Sequence, residues 1–218
     1  MAKAAGKTGS GPISIVAIEQ YFPQEERIIV DNLAHGLIPS GGVFLKIMLI
    51  NSVRDWMVKI TEKTFPGLWS CMMCRKKYID EKLIDSVNDI EAVVNLGAGF
   101  DTRSFRLQEL SHVPVWELDQ PKNIETKKTQ LGKIFASIPS NVKLVSIDFD
   151  HEDISTILYS HRYSIYKRTF FIWEGVTQYL TEDGIRATFD FLAKAAPGSR
   201  LAFTYVLKDF IEGRNMYG

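Results

Sequence analysis

Apolar residues in the first third of the chain recur every three or four positions, the spacing that places them on one face of a helix. Between residues 13 and 89 this pattern includes Ile28, Leu33, Leu37, Phe44, Ile47, Met48, Val53 and Met57. Pro- and Gly-containing turns interrupt it at residues 39–42 and 66–67. We therefore predict an N-terminal helical layer over residues 13–89. Residues 1–12 are small and polar, which is typical of a flexible tail.

After residue 89 the pattern changes to short β-branched and aromatic runs that alternate with stretches of helical spacing. The runs predict strands at residues 92–96, 114–118, 142–147, 169–173 and 200–206. The stretches between them predict helices at residues 102–110, 121–135, 152–159 and 181–195. Such alternation indicates a parallel sheet with helices on both faces. We predict a doubly wound α/β core over residues 90–218, joined with the helical layer in a single domain over 13–218.

Composition narrows the class of protein further. The 218 residues contain 26 Lys plus Arg and 26 Asp plus Glu. This balance argues against a nucleic-acid-binding protein, whose affinity depends on a basic surface. The two cysteines are too few for a disulfide scaffold, and no apolar run reaches the length of a membrane helix. We expect a cytoplasmic protein without a membrane or nucleic-acid partner, and the sequence leaves its oligomeric state open.

The ends of four predicted strands carry residues suited to holding a ligand. The first strand runs into a turn with Gly97 and Gly99, and the later strands end near Asp119, Asp148 and Glu174. Ligands of doubly wound sheets bind at this edge, where the strand order reverses. Glycines allow a ligand to lie against the backbone, and a carboxylate after the second strand can accept hydrogen bonds from ribose hydroxyls. The alternative explanation is that these acids serve only as N-caps of the following helices.

A nicotinamide cofactor, a zinc site and a redox pair have weaker support in the sequence. A dinucleotide-binding turn would place a third glycine where Thr102 stands, which disfavours a nicotinamide cofactor without excluding it. Cys71 and Cys74 have the spacing of half a zinc site or of a redox pair, but no matching histidine pair accompanies them. We therefore expect no metal site.

Three segments in order resemble the motifs of the leucine carboxyl methyltransferase family, which uses S-adenosyl-L-methionine. They are VVNLGAGFDTR at residues 93–103, ELDQP at 117–121 and EGVTQYL at 174–180. A fourth segment, RKKYID at 75–80, fits the family's Arg-led helix. The resemblance implies a Rossmann-like methyltransferase fold. Family members commonly continue beyond the position of Gly218, so we expect a sheet that is short at the carboxyl end of the chain.

The resemblance also implies roles for six residues. Arg75 would contact the methionine carboxylate of S-adenosyl-L-methionine, and the backbone of Gly97 would lie beside the methionine part. Asp119 would hold the ribose hydroxyls, and Glu174 would lie near the amino group. The remaining two, Asp148 and Phe149, would hold the adenine. The substrate-facing residues vary too much within the family for any catalytic residue to be assigned.

The sequence thus favours an O-methyltransferase that acts on a carboxylate by direct displacement. A carboxylate is already ionised at neutral pH and needs no general base. The acceptor would be a small acid or a protein C-terminus. Two alternatives stay open: a non-catalytic protein that binds S-adenosyl-L-methionine or a partner, and a nicotinamide oxidoreductase.

Overall fold

A computed structural model describes residues 10–39 and 41–214 of the chain. The N-terminal part is helical, as predicted. Its elements are α1 (Ser10–Glu19), a short 3-10 helix (Gln24–Glu26), α2 (Ala34–Leu37), α3 (Gly42–Met48), α4 (Asn51–Thr64) and α5 (Leu68–Ser86). The predicted breaks fall between α2 and α3 and between α4 and α5. Residues 1–9 of the predicted tail lie outside the described residues, whereas residues 10–12 form the first turn of α1.

The second part of the chain forms a five-stranded sheet in which every pair of neighbours is parallel. The strands are β1 (Ala92–Leu96), β2 (Val115–Asp119), β3 (Val142–Ser146), β4 (Thr169–Trp173) and β5 (Arg200–Phe203). Their order across the sheet is β3-β2-β1-β4-β5, so successive strands are added on one side of β1 up to β3 and on its other side from β4 onward. This arrangement confirms the predicted doubly wound α/β fold.

Helices connect the strands at nearly the predicted positions. They are α6 (Arg103–Arg106), a 3-10 helix (Gln108–Leu110), α7 (Pro121–Ile134), α8 (Ile154–Ser160), α9 (Glu182–Leu192) and α10 (Lys208–Ile211). The single helix expected over 102–110 is wrong, because Leu107 takes an extended conformation and divides it in two. Two helix starts are fixed by side-chain caps: Asp153 accepts from the backbone N–H of Thr156, and Thr181 accepts from that of Gly184.

Burial on both sheet faces explains why the strands are so apolar. Every residue of β1, β2 and β4 is buried. Alternate β1 residues face opposite layers: Val94 packs in a cluster with Leu158 of α8, and Val93 packs in another with Leu83 of α5. A third apolar cluster packs the N-terminal helices against Phe100 of the turn after β1 and Leu131 of α7. Over residues 10–39 and 41–214, no helix has the length and apolar character needed to cross a membrane.

Candidate functional site

A cavity of about 230 Å³ opens at the carboxyl ends of β1, β2 and β4, around the point where strand order reverses. Both the sheet and the N-terminal helices supply its walls. The lining residues are Pro12, Ile13, Met72, Arg75, Lys76, Asn95, Gly97, Ala98, Gly99, Phe100, Asp101, Asp119, Gln120, Asn123, Asp148, Phe149, Asp150, Glu174, Gly175, Val176, Gln178, Tyr179 and Leu180. All six residues for which we predicted a binding role are among them.

The turn after β1 requires glycine for two separate reasons. Gly97 and Gly99 have φ angles of +72° and +49°, in the left-handed region that other residues rarely adopt. At Gly97, a Cβ atom would also lie 2.3 Å from Cγ2 of Val176. The N–H groups of Gly97 and Ala98 both donate to the carbonyl of Leu118 in β2, which ties the turn to the neighbouring strand.

Asp119, the last residue of β2, connects this turn to the start of α7. One carboxylate oxygen, Oδ2, accepts from the N–H of Gly99 at 2.5 Å. The other, Oδ1, accepts from the N–H of Gln120 and from Nδ2 of Asn123, each at 2.7 Å. A carboxylate offers about four acceptor positions, so these three bonds leave one for a ligand.

Asp148 and Phe149 follow β3 and differ in environment. Asp148 is partly exposed, and its Oδ2 lies 2.9 Å from Nδ1 of His151. This hydrogen bond and the negative charge of Asp148 raise the pKa of the exposed His151. Phe149 lines the cavity but is only 8% exposed, because most of its ring packs into the core.

Glu174 follows β4 and lies among three cations. Its Oε1 accepts from Nε of Arg75 at 2.8 Å and lies 3.8 Å from Nζ of Lys76, while its Oε2 accepts from Arg103 at 2.7 Å. Burial disfavours the charge of Glu174, but the charges of Lys76, Arg103 and Arg75 outweigh this effect and lower its pKa to about 2. The carboxylate is therefore ionised at neutral pH.

Arg103 is the buried centre of this charge network, with 1% of its side chain exposed. Its guanidinium donates to Asp80 of α5 and to Asp101 of the turn, each at 2.5 Å, as well as to Glu174. Burial opposes the charge of Asp101, but Arg103 and other nearby cations hold the pKa of this carboxyl well below its usual value. A second arginine, Arg106, also pairs with Asp80.

The acids at the strand ends do not act as helix caps. Gln120 occupies the N-cap position of α7, Asp153 that of α8 and Thr181 that of α9. The alternative explanation that Asp119, Asp148 and Glu174 serve only as helix N-caps is therefore wrong. That the six predicted residues bind the cofactor stays a prediction.

Several residues that line the cavity were not predicted from the sequence. Pro12 and Ile13 fall at the boundary of the predicted tail, and only the packing of α1 brings them to the cavity. Asn95 and Asp101 stand in the first quoted motif, and their bond of 3.0 Å joins the end of β1 to the turn. Their presence in that motif was the available signal, but short polar side chains at strand ends and in turns are too common to single out.

The two cysteines lie on α5, and both are exposed free thiols. Within the described ranges, no group of three or more His, Cys, Asp or Glu side chains comes together in a way that could hold a metal ion.

The fold is that of Rossmann-like methyltransferases. A solved structure described as a "putative methyltransferase" from Thermobifida fusca YX superimposes with a TM-score of 0.52 at 18% identity, covering 73% of this chain and 61% of that one. A DUF574 family protein from Streptomyces avermitilis MA-4680 gives 0.53 at 17% identity, covering 72% and 64%. At these identities the two structures establish the fold alone.

Sequence comparison identifies the family within this class. The family model described as leucine carboxyl methyltransferase matches residues 11–193. A curated protein of Mycolicibacterium paratuberculosis is 27% identical over 94% of this chain and 75% of its own length. One of Mycobacterium avium is 33% identical over 92% and 67%. Both carry the name "Putative S-adenosyl-L-methionine-dependent methyltransferase". The chain belongs to the leucine carboxyl methyltransferase family, and it spans two thirds to three quarters of these curated relatives.

Proposed function

We propose that the cavity binds S-adenosyl-L-methionine and that the protein transfers the methyl group of this cofactor to a carboxylate oxygen. One observation carries the proposal: polar side chains suited to each part of the cofactor converge on one cavity from separate strand ends, around a glycine turn. Bound there, S-adenosyl-L-methionine would supply a methyl group attached to a positively charged sulfur. The relatives' names support the same cofactor.

The lining residues fit the chemical groups of this cofactor. Asp119 retains an acceptor position for a ribose hydroxyl, and Asp148 offers a partly exposed carboxylate near Phe149 for the adenine amino group. Arg75 uses Nε and Nη2 in its contacts with Glu174 and Met72, and among the described residues Nη1 has no partner. That group is available for a carboxylate, and ionised Glu174 suits an ammonium group.

The side chains of the cavity favour an acceptor that needs no general base. No histidine or cysteine is found among the cavity-lining residues that the structure describes. Asp101 and Glu174 are ionised and paired with buried or partly buried cations, so they already serve as structural anions. A carboxylate acceptor is ionised at neutral pH without help. The work of the protein would be to align the acceptor with the methyl group and to exclude water.

The acceptor we propose is a small carboxylic acid or the C-terminal carboxylate of a protein. We also propose a cytoplasmic location, because both cysteines are free thiols and reducing compartments keep thiols in that state.

A methyl-labelled cofactor tests this function directly. The chain is incubated with labelled S-adenosyl-L-methionine and a set of small carboxylic acids and peptides with free C-termini. The products are then treated with alkali, which hydrolyses methyl esters and releases labelled methanol. We expect label that alkali releases, and none from the Asp119→Ala variant. Label that resists alkali would refute carboxylate methylation, and cofactor binding without any transfer would favour the non-catalytic alternative.

A further inference from the structure

We propose that Arg103 is a positioning residue for the methionine end of the cofactor, acting through Glu174. The inference rests on the proposed function, since it assumes that Glu174 meets the amino group of S-adenosyl-L-methionine. Arg103 itself does not line the cavity. Its effect would reach the ligand only through the carboxylate that it holds.

The geometry divides the two oxygens of Glu174 between different kinds of partner. Oε1 faces Arg75, whose side chain is 25% exposed and lies in the cavity wall. Oε2 faces Arg103, which solvent hardly reaches. If Arg75 turns to a ligand carboxylate, Arg103 still holds Glu174 ionised and in place. A charge-assisted hydrogen bond away from water provides both the orientation and the charge.

The same guanidinium fixes a second acid of the cavity. It donates to Asp101, whose Oδ2 also accepts from Asn95 at the end of β1. Arg103 therefore sets the relative position of two carboxylates that come from separate strand ends. Its third acidic partner, Asp80, lies outside the cavity on α5 and holds Nε at 2.5 Å. Asp80 thereby fixes the Nε side of the guanidinium.

Three acids around one cation require arginine rather than lysine. The planar fork of a guanidinium presents five N–H groups in fixed directions, whereas a lysine ammonium is a single point charge on a flexible chain. Arg103 also donates to the carbonyl of Lys76 at 3.2 Å, so its bonds point to four separate acceptors. A lysine in its place keeps the charge but loses this geometry, which makes Arg103→Lys the informative change.

Calorimetric titration with two ligands separates positioning from general structural support. One ligand is S-adenosyl-L-methionine, and the other is 5′-methylthioadenosine, which has the same adenosine part but no amino acid part. The variants are Arg103→Lys and Asp80→Asn. Arg186→Lys is the matched control, because Arg186 pairs with Glu182 on the exposed face of α9 and does not line the cavity. Thermal unfolding establishes that each variant is folded.

We expect Arg103→Lys to raise the Kd for S-adenosyl-L-methionine at least about tenfold, while the Kd for 5′-methylthioadenosine changes less than about twofold. Asp80→Asn should have the same selectivity with a smaller effect, and Arg186→Lys should change neither Kd. Equal weakening of both ligands in Arg103→Lys, or no weakening of either, would overturn the inference. If Arg103→Lys does not fold, Asp80→Asn decides by the same criterion. A wild-type chain that binds neither ligand would instead refute the proposed function.

Discussion

Alanine at three glycines should change stability in an order that the structure determines. Gly97 and Gly67 both have φ angles in the left-handed region, +72° and +77°, but only Gly97 lacks space for a side chain. A Cβ at Gly97 would lie 2.3 Å from Val176, whereas nothing lies within 4 Å at Gly67. Gly132, an exposed position in α7, has neither constraint. The three sites therefore separate backbone strain from steric overlap.

The magnitudes follow from these two contributions. A left-handed conformation costs an alanine about 1–2 kcal/mol, so Gly67→Ala should lower the free energy of unfolding by that amount. Overlap in a packed region adds about 1–3 kcal/mol, which brings Gly97→Ala to a loss of about 2–5 kcal/mol. In the interior of a helix, alanine is favoured over glycine, so Gly132→Ala should raise stability by about 0.5–1 kcal/mol.

Urea unfolding of the wild type and the three variants measures this order. A further variant, Gly97→Ala with Val176→Ala, removes the two closest methyl groups and should recover part of the loss, while the cost of the positive φ remains. The reasoning is refuted if Gly97→Ala is as stable as Gly67→Ala, or if the second substitution recovers nothing.

Two further predictions concern charged pairs. His151 should titrate above the usual histidine pKa because Asp148 accepts its hydrogen bond, and NMR should show this pKa fall in Asp148→Asn. The protonated pair stabilises the fold at pH values below the unfolded pKa of histidine, and this contribution is lost as pH rises through the raised pKa of the folded state. A His151 whose pKa equals that of a free histidine would contradict this. Lys127→Met should lower the free energy of unfolding, measured in urea, by about 3–5 kcal/mol. The substitution removes the ammonium that lies 2.5 Å from Oε2 of Glu117, and it leaves this fully buried carboxylate without a cation. Adding Glu117→Gln should restore most of that loss, and equal instability of the single and double variants would argue against the explanation.

The fold was predictable because its three central strands are short runs of buried residues. β1 and β4 were placed at their observed bounds, since each is a run of five buried residues that leaves little choice of position. β2 and β3 differ from their predicted bounds by one residue, and β5 differs most. It was expected to reach residue 206 but ends at Phe203, at the edge of the sheet. Beyond it, the side chain of Thr204 accepts from the N–H of Gly175 at 2.7 Å, which ties the chain to the turn after β4.

The site was predictable where its residues stand at strand ends. Parallel strands bring their carboxyl ends to one edge, so the sequence alone groups Asp119, Asp148 and Glu174. Arg103 could not be found this way. An arginine at the start of a short helix is usually solvated. Here its partners include two acids, Asp80 and Glu174, that lie far from it in the sequence. Only the packing of α5 against the sheet shows this charge network.

Calorimetric titration with S-adenosyl-L-methionine tests most directly whether the cavity is the cofactor site. We predict binding in the micromolar range, about 8 kcal/mol, for the wild type. Asp119→Asn should weaken it at least about tenfold, because an amide cannot accept all the hydrogen bonds that the carboxylate accepts. Asp190→Asn, at an exposed acid of α9 outside the cavity, is the control and should bind as the wild type does. A folded chain that does not bind the cofactor, or binding that Asp119→Asn leaves unchanged, would contradict the assignment of this cavity.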